Sequence, residues 1–290
     1  MMTISAENVK ILREKTGAGM MDCKKALTEA NGNMETATEV LRKRGIAVAA
    51  KKAGRVAADG TIGYYFSDDA KLGVLVEINC ETDFVTKTPD FQNYVVLITD
   101  IIKSQKPNDM EGLMSLPHNG SELKNMETDL VAKIGEKLGT RRFVRWEAED
   151  NKTKLSQYIH AGNKIGVMVE FSDPSGKLTD KTAKEVAMHV AAMSPQYVKK
   201  DDIPESVIAK EREIFISQMV DQKKPKEILE KIAEGKLNKF YSEACLDNQL
   251  FVCDPNGKAS VKDALKAIDK DIEINKFVRI QVGEGIEKKA

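Results

Sequence analysis

An internal repeat restricts the fold of this chain more than any other feature. Residues 65–79 read YFSDDAKLGVLVEIN and residues 158–172 read YIHAGNKIGVMVEFS. At one constant offset, Tyr65 pairs with Tyr158, Lys71 with Lys164, Gly73 with Gly166 and Glu77 with Glu170. Each copy places apolar strands around a polar turn, at 67–69 or 161–163, which is the pattern of a β-hairpin. Each is followed by a stretch of helical period, 91–102 and 183–193. Strands followed by helices in two related halves predict an α+β fold with a duplicated two-layer core and antiparallel sheets, not an alternating doubly wound sheet.

The flanks read differently. Val9 and Leu12 give a first helix its apolar face, with Ser5 as N-cap; Cys23, Ala26 and Leu27 mark a second; Asn33 caps a third striped by Ala37, Val40 and Leu41, with Gly45 expected to end it. Residues 1–55 therefore read as a three-helix module with the basic run 42–55 at its end. That run, RKRGIAVAAKKAGR, reads foremost as a solvated helix and linker with alanines packed on one side, and otherwise as a nucleic-acid patch. Residues 56–150 form the first half of the core, and 151–198 with 247–290 the second. Between these last two, 199–246 predict an inserted antiparallel helical hairpin, striped by Val207, Ile208, Ile214, Phe215, Met219 and Val220. The stripe resumes at Leu229, Ile232, Leu237 and Phe240 beyond a turn at Lys223, Lys224 and Pro225. The terminal IEINKFVRIQV alternates like a strand that completes the second sheet.

Chemistry is harder to find. The 45 basic and 45 acidic residues cancel, which disfavours binding nucleic acid by bulk charge. The densest apolar stretch, 94–98, is far short of the roughly 20 residues of a membrane span. Four scattered cysteines with no C-x-x-C pair fit a reduced compartment, so a soluble cytoplasmic protein is expected, with no metal and no cofactor. Cys80 reads as a buried, inert thiol and His189 as a half-buried packing residue. Glu81 and Asp83 could share a loop, yet lack the partner that completes an acid–base site. Gly283-Glu284-Gly285 is no dinucleotide fingerprint. No catalytic constellation emerges. The segment Thr82-Asp83-Phe84-Val85 stands out at a strand-to-helix junction. Phe84 and Val85 either cap the core there or form an exposed wedge for another protein.

These residues carry a family resemblance. LREKTGAGMMDCKKALTEANGNMETA (12–37), NCETDFV (79–85), HAGNKIGVMV (160–169), EVAMHVAAMSP, KKPKEILEKIAEGKLNKF and the terminal VGEGIEK resemble bacterial elongation factor Ts, in order and over nearly the whole chain. The resemblance implies a guanine-nucleotide exchange factor for elongation factor Tu, acting by binding without covalent chemistry. It also implies an N-terminal module like ubiquitin-associated domains, a duplicated α+β core and an inserted coiled-coil hairpin. In the family, the motif matched by Thr82, Asp83, Phe84 and Val85 pushes between two helices of the partner and displaces its Mg²⁺. His160 matches a contact near the partner's phosphate loop. Lys10, Arg13, Met20 and Met21 match the N-terminal contact surface, and Phe251 with Val252 a contact of the late core. The partner implied is elongation factor Tu, GDP-bound and nucleotide-free; the hairpin either joins a second copy as a homodimer or packs on its own core, and neither membrane nor direct nucleic-acid contact is expected. Many members continue past GEGIEK into a further helix that touches the partner, whereas this sequence ends at Ala290. Cys253 stands where some relatives carry methionine.

Overall fold

The computed structural model describes residues 4–217 and 226–287. The chain opens with α1 (Ala6–Thr16), α2 (Met20–Glu29) and α3 (Met34–Lys52). Ser5 Oγ accepts the Asn8 N–H and Asn33 Oδ1 the Thr36 N–H, so both expected N-caps form. Leu12, Cys23, Ala26, Leu27 and Ala37 make a small core of their own. Gly45 does not end α3. The helix continues to Lys52, and Gly45 lies buried within it. A Cβ there would stand 3.3 Å from the Ala132 Cβ, so the missing side chain is a contact with a later helix and not a stop. The basic run is thus mostly the second half of α3, with Ala49 packed on the core beneath it.

The core follows as β1 (Asp59–Phe66), β2 (Leu72–Cys80), the single turn α4 (Asp83–Thr86), α5 (Pro89–Gln105), α6 (Met110–Ser115), the short strands β3 (Pro117–His118) and β4 (Ser121–Glu122), α7 (Leu123–Ile134) and β5 (Leu138–Glu147). The second half supplies β6 (Thr153–Ile159), β7 (Ile165–Ser172) and α8 (Asp180–Met193). After the helical pair α9 (Glu205–Ser217) and α10 (Lys226–Ala244) come α11 (Val261–Lys266) and β8 (Glu273–Gln281). The main sheets are antiparallel and three-stranded, β1-β2-β5 and β6-β7-β8.

Duplication extends to backbone detail. Ala70 and Asn163 occupy corresponding turn positions at φ 56° and 55°. The third strand of each sheet shifts register at the same place, between Glu77 and Ile78 or between Glu170 and Phe171. Alternation then divides each central strand between two cores. Val74, Val76, Ile78 and Cys80 pack with α5, and Val167, Val169 and Phe171 pack with α8. The other faces meet, joining Ile62 and Leu75 to Met168 and Ile280. Helix, sheet, sheet and helix therefore stack in that order. The repeated glycines make the stacking reciprocal. A Cβ on Gly73 would sit 2.5 Å from Met168 Sδ, and one on Gly166 would sit 3.0 Å from Leu75 Cδ2. Each sheet's glycine receives the other sheet's equivalent side chain.

A fully buried carboxylate ties this assembly together. Glu77 has no exposed surface, and its oxygens accept from Arg141 Nη1 (3.1 Å), Arg142 Nε (2.6 Å) and the Gly283 N–H (2.8 Å). Burial raises its pKa, but the Gly283 N–H, the Asn79 amide and the Arg142 guanidinium together outweigh burial and hold it below the usual glutamate value. Gly283 can serve because it has φ 74° and because a Cβ would come 2.1 Å from the Ala58 carbonyl oxygen. The terminal GEG motif is thus a clasp on the first sheet.

The expected hairpin is present as α9 and α10, which pack on each other, with Lys236 Nζ 5.5 Å from the Phe215 ring centroid. Met219, Val220, the turn at Lys223 to Pro225 and the Leu229 side chain lie outside the described residues. The pair is tied to the core where Gln196 and Tyr197 donate to the Ala244 carbonyl.

Candidate partner-binding surface

The segment after β2 is built from both ends. Cys80 Sγ donates to the Thr82 carbonyl, and burial, with the Asp59 carboxylate behind it, pushes this thiol up to about 12, an inert group. Thr88 Oγ1 accepts the Phe91 N–H and so starts α5. Between them α4 is one turn, so consecutive side chains diverge. Val85 is 5% exposed and packs in the first core, whereas Phe84 is 75% exposed. The two readings of this pair divide between its members: Val85 belongs to the core and Phe84 projects. Asp83 pairs with Lys87 at 3.2 Å, and Lys87 Nζ lies 5.6 Å from the Phe84 ring centroid; an exposed pair of this kind adds little stability.

Glu81 and Asp83 do not act as a pair. Glu81 accepts the Lys137 N–H and binds Arg55 at 3.1 Å. Burial raises its pKa, and the Lys137 N–H and Arg55 reverse that to a net lowering. Thr82 is held by Glu136, its N–H donating at 3.1 Å and its hydroxyl at 2.9 Å.

His160 lies exposed in the β6–β7 turn, its Nδ1 3.0 Å from the Tyr158 hydroxyl. That turn crosses to the other half of the core. The Asn163 carbonyl accepts the Ile62 N–H at 2.8 Å, and Lys164 Nζ binds Asp59 and the Gly60 carbonyl. The α4 turn packs on β1 as well, so β1 is the common neighbour of the Phe84 and His160 segments. A shallow groove of about 490 Å³ runs over β1 and α5, with Thr86 and Asn163 both in its lining. Tyr64 and Val96 are exposed along it. Sequence reasoning missed both. The only signal was Val96, an apolar residue inside the run 94–98, which is wider than one buried helix face.

On the N-terminal module, Met20 and Met21 are 56% and 64% exposed, and Lys10 and Arg13 are exposed three residues apart on α1. Ile11 beside them is also exposed and escaped sequence reasoning. In the late core Phe251 is buried, 5.7 Å from the His189 ring, while Val252 and Leu250 are exposed. His189 is buried, more deeply than expected. It accepts the Val252 N–H at Nδ1 and reaches Gln249 at Nε2, and burial lowers its pKa. Among the described residues no group of histidine, cysteine or acidic side chains could hold a metal ion, and no helix is long and apolar enough to cross a membrane.

The fold and site define an α+β protein whose candidate site is a set of surface projections on a duplicated scaffold. A family model described as Elongation factor TS matches residues 81–284. The chain is 44% identical over 290 residues to the elongation factor Ts of Halothermothrix orenii and 47% identical over 288 residues to that of Alkalilimnicola ehrlichii, covering 99% of this chain and 95% of each relative. It is 43% identical over 290 residues, with the same coverage, to that of Clostridium perfringens. The chain belongs to the elongation factor Ts family, whose members are elongation factors of protein biosynthesis.

Proposed function

We propose that this chain is a guanine-nucleotide exchange factor that binds elongation factor Tu and promotes GDP release during translation elongation. The observation that carries the reading is Phe84, left three-quarters exposed on a turn whose neighbour Val85 is rooted in the core. Water-exposed phenylalanine on a braced turn gains nothing in the free protein and much in a partner's cleft. In this reading the turn of Thr82, Asp83, Phe84 and Val85 is the wedge that displaces the partner's Mg²⁺, with Asp83 and Phe84 projecting while Val85 roots it in the core and Thr82 fixes its start, and His160 reaches the phosphate side. Lys10, Arg13, Met20 and Met21 dock the module of residues 1–55, and Val252, supported from within by Phe251, adds a contact of the late core.

The physics requires no covalent step. A nucleotide held through phosphates and Mg²⁺ leaves slowly because the cation screens repelling charges. A factor that binds the empty partner better than the loaded one weakens the nucleotide by the same factor. A 10⁴-fold shift takes about 5.5 kcal/mol of differential binding. The protein would work in the cytoplasm, and the α9–α10 pair is the element through which two copies would join. The test is release of fluorescent GDP from purified elongation factor Tu. Acceleration by catalytic amounts of this chain is expected; a release rate unchanged at saturating chain would remove the reading.

A further inference from the structure

The α4 turn cannot hold Phe84 in place by itself. A single turn bears the unfavourable cost of nucleation without the propagation that offsets it in a longer helix, and the first N–H groups of any helix lack internal partners. Thr82 occupies the N-cap position but makes no side-chain cap bond to the turn. Its N–H and hydroxyl go instead to the two oxygens of Glu136, the hydroxyl at 2.9 and 3.1 Å and the N–H at 3.1 Å. Glu136 is half-buried in the loop between α7 and β5. Both neighbours of Glu136 are themselves fixed. The Gly135 carbonyl accepts from Lys52 Nζ, and Lys137 reaches the Ala53 and Arg55 carbonyls at 2.7 and 2.8 Å while its N–H binds Glu81. A charge-assisted fork on a braced loop therefore sets where the turn leaves the sheet.

We propose that Glu136 is a positioning residue for the Phe84 projection: it touches no nucleotide or partner, and acts on exchange by fixing the Thr82 end of the turn. This rests on the exchange reading for its activity readout but not for its structural one. GDP release from elongation factor Tu is measured with the wild-type chain and with Glu136→Ala, Glu136→Gln, Phe84→Ala and the double variant Glu136→Ala/Phe84→Ala. In Glu136→Ala the maximal rate at saturating factor should fall about tenfold, which is about 1.4 kcal/mol, with the half-saturating concentration within about twofold of wild type. Glu136→Gln retains one carbonyl acceptor and should recover most of the loss. In the Phe84→Ala background the same change should cost much less, because only Asp83 of the projecting side chains remains to be positioned. Hydrogen exchange of the free chain gives the independent arm, with the amides of residues 82–86 expected to exchange faster in Glu136→Ala while those of β2 do not change.

A maximal rate within twofold of wild type in Glu136→Ala, an equal loss in the Phe84→Ala background, or unchanged amide exchange at residues 82–86 overturns the proposal. If Glu136→Ala does not fold, Glu136→Gln and Thr82→Val carry the same comparison, the latter removing only the hydroxyl and expected to lose about threefold. A wild-type chain that fails to release GDP defeats the exchange reading alone, and the amide measurement still decides the role of Glu136.

Discussion

The two halves of the core agree in what they bury and differ in what they expose. Both have the hairpin, the positive-φ turn residue and the displaced register of the third strand. They part where the central strand ends. In the first half β2 runs into the Thr82 turn, which throws Phe84 outward. In the second, Asp173 follows β7 and accepts the N–H groups of Lys177 and Leu178, folding the loop back on itself. The turns differ too, with His160 standing where the first half has Ser67. Packing constrains the repeated positions, because a change there must be answered across the sheet interface. The Phe84 and His160 side chains face solvent and carry no such constraint, so the halves could diverge there.

The largest expected effect breaks the equivalence of the repeated glutamates. Glu77 is buried on two arginines and a backbone N–H, while Glu170 keeps some exposure and binds Lys276 at 2.9 Å. Glu77→Ala leaves that charge cluster without its anion and should cost about 3 kcal/mol; Glu170→Ala should cost under about 1 kcal/mol. Urea unfolding of both variants checks the ratio, and equal losses would mean that the clasp contributes nothing. The pH dependence follows from the sign of the shift. The folded pKa of Glu77 lies below its ordinary value of 4.5, so its contribution is present above about pH 4.5 and is lost as pH falls through the folded value. Glu77→Gln should flatten that part of the stability–pH curve, and Glu170→Gln should not.

Next come the glycines, where the halves should behave alike. Gly73→Ala meets Met168 and Gly166→Ala meets Ile62 and Leu75. Each should destabilise by about 1–3 kcal/mol through overpacking, with the two values close to one another. Trimming the receiving side chain, Met168→Ala with Gly73→Ala, should recover part of the loss. A Gly73 variant of wild-type stability would show that the sheets do not interlock.

Much of this scaffold was legible because its signals are local and periodic. The hairpins, their helices and the Ser5 and Asn33 caps each lie within a few residues of the feature that sets them. The misses share the opposite character. Gly45 near the end of an apolar stripe reads as a helix stop, and only its distant neighbour Ala132 shows why a glycine is needed within the helix. The Glu77–Gly283 bond joins opposite ends of the core, and no window of sequence holds both residues. Phe84 beside Val85, like Phe251 beside Val252, is an apolar pair whose inward member is chosen by backbone direction, which composition does not encode.

Within the Thr82–Val85 motif, adjacent residues should then show opposite effects. Val85→Ala should cost about 2 kcal/mol of stability, as for a buried aliphatic side chain. Phe84→Ala should leave urea stability within about 0.5 kcal/mol and instead slow GDP release from elongation factor Tu by about 30-fold, the size of a 2 kcal/mol aromatic hot spot. Destabilisation of about 3–5 kcal/mol in Phe84→Ala would return this phenylalanine to the core.

The smallest effect tests whether the second half shares the task of the first. His160 is exposed, and its backbone N–H donates to the Ile165 carbonyl as the Ser67 N–H donates to the Leu72 carbonyl. The turn therefore forms with either side chain, and His160→Ser, which imports the residue of the first half, should leave stability unchanged within about 0.5 kcal/mol. Any loss of exchange is then a property of the imidazole. Phe84 and His160 stand on segments that share β1 as a neighbour, one from each half of the core. If they pry at the metal side and the phosphate side of one bound nucleotide, each removes part of what the other must overcome. The losses in maximal release rate for Phe84→Ala and His160→Ala should then fail to add, with a coupling above about 0.5 kcal/mol. Losses that sum within that margin would reduce His160 to an independent contact, and the second half of the core to a support for the first.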